Sequence, residues 1–223
     1  MHLFIITLTA LFHTYFDKPL SPDLFWSLTN QLPPDTISKI RKFHKWQDAH
    51  ACLFGRLLLK EMLSTFSIDQ DLSTLKYTNY QKPYFENSDF NFNISHSGNY
   101  VVCAGTNQSK LGIDIEEIKS INIQEFREQF HTVEWGQIKN ADNLATFYKF
   151  WTMKEAIIKA DGKGLSIPLN NLNVSNNSNQ VIIDQAVWNL HEIYLDDDYI
   201  CHMAYLGGPV NCIYRRLLNL ELL

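Results

Sequence analysis

Cysteine is scarce in this chain of 223 residues, which has only four, at positions 52, 103, 201 and 212. They occur singly, with no CxxC pair and no regular spacing, so the sequence indicates neither a zinc site nor a disulfide framework. Isolated thiols of this kind stay reduced in the cytoplasm, and that is where we expect to find the protein.

Positive charge is also in deficit, because 24 Asp and Glu residues outnumber 19 Lys and Arg residues and the net charge is −5. We therefore expect no nucleic-acid partner, since a domain that binds nucleic acid over an extended surface is usually basic. The phosphate loops GxxxxGK[ST] and GxGxxG do not occur, which argues against an ordinary NTPase or dinucleotide enzyme. Any anion site must be a local cluster of cations.

No apolar run is long enough to cross a membrane, and no membrane partner is expected. The N-terminal segment MHLFIITLTALF is much shorter than the ~20 residues of a membrane span. It also lacks the Lys or Arg that precedes the apolar part of a signal peptide. We predict that residues 3–8 form a buried strand, followed by a loop that contains proline.

The two halves of the chain share one order of predicted elements: a strand, short helices, a long helix and antiparallel strands. This order predicts an α+β fold, a duplication of two similar lobes with a cleft between them. The predicted lobes are residues 1–106 and 107–223, and a chain already built this way is expected to be a monomer. Helices are predicted at 22–30, from about 35, 47–64, 123–130, 132–139 and within 143–165; later strands at 75–79, 83–86, 90–94, 100–104, 111–116, 172–174, 181–184, 187–194 and 199–205.

The helix within residues 143–165 has a charged residue in its apolar face. At about 100° per residue, Glu155 lies between Trp151 and Ile158 on that face. An unpaired carboxylate charge buried there would cost several kcal/mol, so Glu155 requires a cation, a hydrogen-bond partner or a raised pKa. The simpler alternative is an ion pair between Glu155 and Lys159, one helical turn away.

The segment LGIDIE, residues 111–116, alternates apolar and polar residues as a strand does. Asp114 and Glu116 fall on one face, about 6–7 Å apart along the backbone. Such a face is commonly just a solvated acidic surface. Together with Glu155, however, these acids make a set of oxygen ligands without His or Cys, which favours Mg²⁺, with Mn²⁺ as a substitute.

Two further segments carry groups that suit an anion. Ser95 and His96 come at a predicted strand end, where hydroxyl, imidazole and turn amides can bind one; the simpler alternative is a pair of surface residues. A Ser95–His96 nucleophile and base is disfavoured, because adjacent strand residues point to opposite sides. Lys42 and Lys45 form a basic patch, with Lys82 further along, and these cations either hold phosphates or are simply solvated.

Several short motifs occur in the order and spacing of one family. They are FNISHSG (92–98), GIDIE (112–116) and FWTMKEAIIK (150–159) with GKGL (162–165), accompanied by KFHKWQDAH (42–50) and QKP (81–83). Together they resemble the surfactin-type 4′-phosphopantetheinyl transferases over about residues 40–175. The resemblance implies a pseudo-dimer of two similar α+β lobes, with coenzyme A and the active site in the cleft between them. It also implies transfer of the phosphopantetheine arm to a serine of an apo acyl or peptidyl carrier protein, with release of adenosine 3′,5′-bisphosphate.

The resemblance also implies roles for individual residues. Asp114, Glu116 and Glu155 match the family's Mg²⁺ ligands, and Lys159 matches a lysine that contacts the phosphates. Glu155 is the preferred catalytic base and Glu116 the alternative. The remaining coenzyme A contacts would be Ser95 and His96 for the nucleotide phosphates, and Lys42, Lys45 and Lys82 for the 3′-phosphate and adenine. These last contacts put coenzyme A recognition mainly in the first lobe, and a carrier-binding patch is expected near residues 121–130.

Two other classes of protein remain open from the residues alone. One is a non-catalytic module that binds coenzyme A, and the other is a metal-dependent phosphohydrolase or nuclease. Three acids beside Lys159 favour an enzyme over a binder, because a binder of a diphosphate has no need of so much negative charge. The negative net charge and the lack of His ligands count against the hydrolase.

Overall fold

The computed structural model describes residues 9–107, 110–141, 144–164, 168–174, 179–183 and 185–207, together with the backbone of 214–217. The chain divides into two compact units. Unit 1 comprises Met1–Tyr77, Pro83–Gln108 and Cys212–Leu223, and unit 2 comprises Thr78–Lys82 and Ser109–Asn211. Each unit has helices and its own four-stranded sheet, so the α+β fold class is confirmed.

Unit 1 is built around one long helix that packs on a sheet. Its strands have the order β10-β1-β5-β4, in which β1 and β10 are parallel and the other pairs antiparallel; β2 and β3 form a separate hairpin. The elements are β1 Thr9–Tyr15, α1 Pro22–Thr29, α2 Pro34–Ile40, α3 Trp46–Thr65, β2 Leu75–Tyr77, β3 Pro83–Phe85, β4 Asn91–Ser97, β5 Tyr100–Thr106 and β10 Tyr214–Leu217.

Unit 2 follows the same plan, with one long helix on an antiparallel sheet of order β6-β9-β8-β7. The elements are β6 Leu111–Glu117, a 3₁₀ helix Ile123–Gln129, α4 Thr132–Ala141, α5 Leu144–Asp161, a 3₁₀ turn Leu169–Asn171, β7 Gln180–Ile183, β8 Ala186–Glu192 and β9 Tyr199–Leu206. Helix α5 packs against β6 and β9. Its apolar side chains, with aromatic neighbours such as Phe130 and Trp135, form the core of this unit.

Glycine explains how closely α5 approaches the sheet. A Cβ atom at Gly112 in β6 would collide with the backbone of Ala156 and Ala160 in α5. Helix and strand backbones therefore meet here without an intervening side chain. This contact brings the residues on the same face of β6 directly under α5.

Most predicted helices and strands are confirmed to within a few residues, but the structure corrects three points. Residues 9–15 are part of a strand and not a loop. The prediction of a strand at 172–174 is wrong, because the N–H of Val174 donates to the Glu134 carboxylate instead of to a neighbouring strand. Strand β10 belongs to the sheet of unit 1, so the units are not the contiguous lobes 1–106 and 107–223. The strand predicted at residues 3–8 lies outside the described residues.

Candidate active site

The acidic face of β6 lies against helix α5. Side chains two residues apart in a strand share a face, so Asp114 and Glu116 lie on the same side as Gly112, which contacts α5. Asp114 is 2% exposed, whereas Glu116 is partly accessible at the end of the strand. The predicted alternation of this segment places the two carboxylates beside the helix that carries Glu155.

Three charged groups meet at this contact. The ammonium Nζ of Lys159 lies 2.5 Å from Oδ1 of Asp114. Burial raises the pKa of Glu155, the negative charge of Asp114 raises it further, and the positive charge of Lys159 acts in the opposite direction. Glu155 is therefore electrostatically coupled to both residues. Lys159 thus forms an ion pair with Asp114. Helical spacing alone suggested a different pair, between Lys159 and Glu155.

The carboxylate oxygens at this contact are of the kind that suits a hard divalent cation. Among the described residues, no group of three or more His, Cys, Asp or Glu side chains has the arrangement of a complete metal site. Mg²⁺, however, is commonly held by one or two carboxylates, with water and substrate phosphates completing its shell. Asp114 and Glu155 meet that requirement, and the repulsion that raises the pKa of Glu155 is the kind a divalent cation relieves.

A buried histidine lies behind these acids and was missed by the sequence analysis. His202 in β9 is the register partner of Asp114 in β6, and its Nδ1 lies 2.7 Å from Oγ1 of Thr152 in α5. Burial lowers the pKa of His202 to about 4, so the ring is neutral near pH 7. Its Nε2 is buried and has no hydrogen-bond partner among the described residues. The sequence offered one indication of this residue, a histidine within an otherwise mainly apolar strand.

A buried ion pair supports the other side of the helix and was also missed. Lys154 and Glu134 are 0% and 1% exposed, and Lys154 Nζ lies 2.6 Å from Glu134 Oε2. Burial lowers the pKa of Lys154, but the hydrogen bond and charge of Glu134 oppose that change. In the sequence, Lys154 falls at the edge of the apolar face of this helix. That position does not indicate that its side chain is fully enclosed.

Lys82 is held within unit 2 by backbone carbonyls. Its Nζ donates to the carbonyl oxygens of Ala160, at 2.8 Å, and Leu111, at 3.3 Å. Gly162 has φ +83°, and a Cβ there would lie 3.0 Å from Lys82 Cδ, so glycine leaves room for the lysine stem. Burial lowers the pKa of Lys82 to about 8. The lysine thus caps the end of α5, and its contact with coenzyme A stays a prediction.

The other residues predicted to bind coenzyme A belong to unit 1. Ser95 and His96 lie in β4, the first buried and the second exposed, as expected for adjacent strand residues that point to opposite sides. Lys42 and Lys45 are exposed in the segment that leads into α3. The neighbouring Arg41 is engaged elsewhere, because its guanidinium lies 5.4 Å from the centroid of the Trp26 ring.

Comparison with known proteins identifies relatives of both halves. Residues 110–204 match the model of the 4′-phosphopantetheinyl transferase superfamily, and residues 18–108 match the 4′-phosphopantetheinyl transferase N-terminal model. The chain is 36% identical to 4′-phosphopantetheinyl transferase Sfp of Bacillus subtilis over 72% of this chain and 73% of that protein. Identity is 38% to 4′-phosphopantetheinyl transferase gsp of Aneurinibacillus migulanus, over 74% and 72%. It is 30% to L-aminoadipate-semialdehyde dehydrogenase-phosphopantetheinyl transferase of Xenopus laevis, over 80% and 68%.

Proposed function

This chain belongs to the 4′-phosphopantetheinyl transferase superfamily, and we propose that its transfer of phosphopantetheine from coenzyme A to a carrier protein takes place at Asp114, Glu155 and Lys159. The observation that carries this assignment is the cluster of these three groups where β6 meets α5. A diphosphate is densely anionic, so the reaction needs fixed positive charge beside the phosphorus that is attacked. Lys159 provides such a charge within reach of two acids.

We assign the metal site to Asp114, Glu155 and the partly accessible Glu116. Mg²⁺ or Mn²⁺ bound there would offset charge on the diphosphate. Asp114 is well placed to bind the ion. It is buried, and its Oδ1 already interacts with a cation, the ammonium group of Lys159. Glu116 lies two residues further along the same strand face and would contribute from the open end of the site.

Glu155 is our choice for the group that accepts the proton of the carrier serine. Its raised pKa supports this role, because a carboxylate that binds protons more tightly is a stronger base. The serine oxygen would then attack the phosphorus that carries the pantetheine arm, and the bond from this phosphorus to the bridging oxygen of the diphosphate would break. Adenosine 3′,5′-bisphosphate would leave with the new negative charge on its 5′-phosphate close to Lys159. Glu116 is the alternative base, as the more accessible acid of the strand.

We further propose that unit 1 supplies the nucleotide contacts. Ser95 and His96 would hold phosphates of coenzyme A, and the exposed Lys42 and Lys45 would hold its 3′-phosphate. Lys82 would complete this set through the one ammonium proton that its two carbonyl partners leave over. The partner would be an apo acyl or peptidyl carrier protein, and we expect a cytoplasmic monomer that binds neither nucleic acid nor membrane. No described helix has the length and apolar character of a membrane span.

The assignment is tested by the mass of a carrier. The purified protein is incubated with coenzyme A, Mg²⁺ and a panel of apo acyl and peptidyl carriers, and each carrier is weighed intact. We expect one carrier to gain the mass of phosphopantetheine, and Glu155→Gln to slow this gain by at least about 100-fold. The matched control is Glu86→Gln, which changes an exposed acid directly after β3. This variant should modify the carrier at the wild-type rate.

Two outcomes would contradict the proposal. A wild-type rate for Glu155→Gln would remove Glu155 from the reaction, although the family would stand. Release of free phosphopantetheine with no acceptor protein present would indicate a hydrolase. Treatment with EDTA followed by Mg²⁺ or Mn²⁺ tests the metal: activity should be lost and then restored by either ion.

A further inference from the structure

Lys154, the residue next to Glu155, is a fully enclosed cation with a complete set of partners. Its Nζ donates to Glu134 Oε2 at 2.6 Å, to the carbonyl of Leu169 at 2.9 Å and to that of Gln129 at 3.2 Å. An ammonium has three protons, and these three acceptors use all of them. The same Nζ lies 5.1 Å from the centroid of the Phe130 ring.

Glu134 completes the network from the other side. Its Oε2 also accepts from the N–H of His131 at 2.8 Å, and its Oε1 accepts from the N–H of Val174 at 2.9 Å. One ion pair therefore joins helix α5 to three other segments: the end of the 3₁₀ helix Ile123–Gln129, the start of α4, and the chain around residues 169–174. All of these lie within unit 2.

Such a pair adds little to stability when compared with an apolar pair of similar size. The cost of removing both charges from water roughly cancels their attraction, whereas removing one partner alone leaves an uncompensated buried charge. A hydrogen-bonded ion pair is nevertheless far more directional than an apolar contact. Its main physical consequence here is to fix where Lys154 lies relative to the segments around it.

The position of Lys154 determines the direction of its neighbour. Adjacent residues on an α-helix are about 100° apart, so fixing Lys154 fixes the rotation of α5 about its own axis. A rotation of about 20° would move a carboxylate about 6 Å from that axis by about 2 Å, beyond the tolerance of a working active site. Glu155 and Lys159 both face β6 from this helix and would move together.

We propose that the Lys154–Glu134 ion pair is a positioning device that sets the rotation of helix α5 and thereby directs Glu155 and Lys159 toward Asp114. This proposal rests on the proposed function, because its consequence is measured as transfer to a carrier. It gives Lys154 and Glu134 no contact with substrate. They act through the helix, and the reaction slows when the helix can turn.

The test replaces the pair as a unit. Lys154→Met/Glu134→Leu keeps similar side-chain volume without buried charge, so the protein should fold. Its melting temperature should be lower than that of the wild type, because backbone groups of Gln129, His131, Leu169 and Val174 lose their partners. We expect kcat per folded molecule to fall about 10- to 100-fold while KM for coenzyme A changes less than threefold. The matched control is Lys149→Met/Glu192→Gln, which removes an exposed ion pair between the same helix and β8. Neither kcat nor KM should change in the control.

Glu134→Asp keeps both charges but shortens the acid by one methylene, which guards against a double variant that does not fold. We expect it to fold and to lose kcat several-fold. A wild-type kcat in either folded variant, or an equal loss in the exposed-pair control, would overturn the proposal. Failure of the wild-type protein to modify any carrier would instead contradict the proposed function, so the two failures are distinguishable.

Discussion

Helices α3 and α5 occupy the same place in their units, each as the long helix on a four-stranded sheet, but they differ in what they bury. The buried face of α3 is mainly apolar, with His50 and Arg56 as its polar members. Both of these have partners within unit 1: Arg56 Nη2 donates to the Tyr77 hydroxyl at 2.8 Å, and His50 Nε2 accepts from the N–H of Leu20 at 3.0 Å. The buried polar side chains of α3 are therefore satisfied within unit 1.

Helix α5 also packs apolar side chains into the core of its unit, but it carries charged groups at buried or half-buried positions as well. Lys154 is enclosed on one side, while Glu155 and Lys159 lie toward Asp114 on another. The same architecture therefore buries paired polar groups in one unit and, under the proposed function, carries the reacting groups in the other. What distinguishes them is the small number of polar residues placed on the helix face.

The largest expected effect concerns the glycine at each helix–sheet contact. Gly112→Ala places a methyl group against the backbone of Ala156 and Ala160, which cannot move aside without displacing α5. The Cβ added by Gly55→Ala in α3 would meet side chains and no backbone, with Cγ2 of Ile94 nearest at 3.0 Å, and a side chain can adjust. We expect Gly112→Ala to lower the free energy of unfolding by more than about 3 kcal/mol and Gly55→Ala by less than about 1.5 kcal/mol.

Urea unfolding and carrier modification measure both effects. Gly112→Ala should also abolish transfer, because Asp114 lies two residues further along the strand. Equal stability losses in the two variants would show that the close backbone approach in unit 2 has no special importance.

A smaller effect is expected from one cation of each long helix, the half-buried Lys159 of α5 and the buried Arg56 of α3. Lys159→Met removes the ammonium group that pairs with Asp114. In the absence of coenzyme A the protein should therefore bind the metal ion more tightly, while the rate of transfer should fall about 100-fold. Arg56→Met should cost about 1–3 kcal/mol of unfolding free energy through its lost bond to Tyr77, with no change in metal binding.

Titration with Mn²⁺, followed by the electron paramagnetic resonance of the free ion, distinguishes the two variants. Unchanged Mn²⁺ affinity in Lys159→Met would mean that Asp114 does not belong to the metal site.

Acid should affect the two buried histidines unequally. Burial lowers the pKa of both, to about 4 for His202, below the ordinary value of 6.5. A lowered pKa in the folded state means that the unfolded chain takes up protons first, so stability falls as the pH drops from about 6.5 toward 4. For His202 the full loss is about 3 kcal/mol.

The free energy of unfolding measured between pH 7 and 4 tests this difference. His202→Leu should flatten the acid limb more than His50→Phe does, since His202 is the more deeply buried ring. An acid limb that stays as steep in His202→Leu as in the wild type would show that carboxylates, and not this imidazole, dominate it.

The sequence predicted the parts of this structure that depend on periodicity. Alternation in LGIDIE identified the acidic face of β6, and helical spacing identified Glu155 as a charged residue within an apolar stripe. The strand predicted at residues 172–174 was wrong. Leu172 and Val174 alternate because both are buried, and this segment pairs with no strand among the described residues. The partners of Lys154 and His202 were also missed. They come from segments distant in sequence, and no local pattern reports which distant residue meets a buried polar group.

The smallest expected effect is that of Lys149→Met, and it is measured against the enclosed ion pair of the same helix α5. Lys149 pairs with Glu192 at 2.8 Å, but both side chains are in contact with water, unlike those of Lys154 and Glu134. Lys149→Met should therefore change the free energy of unfolding by only about 0.5 kcal/mol, and this difference should vanish at 1 M salt. Lys154→Met should cost about 3–5 kcal/mol at any salt concentration, since it leaves Glu134 charged and enclosed. Equal losses in the two variants, or a strong salt dependence of the larger one, would mean that water reaches the Lys154 pair.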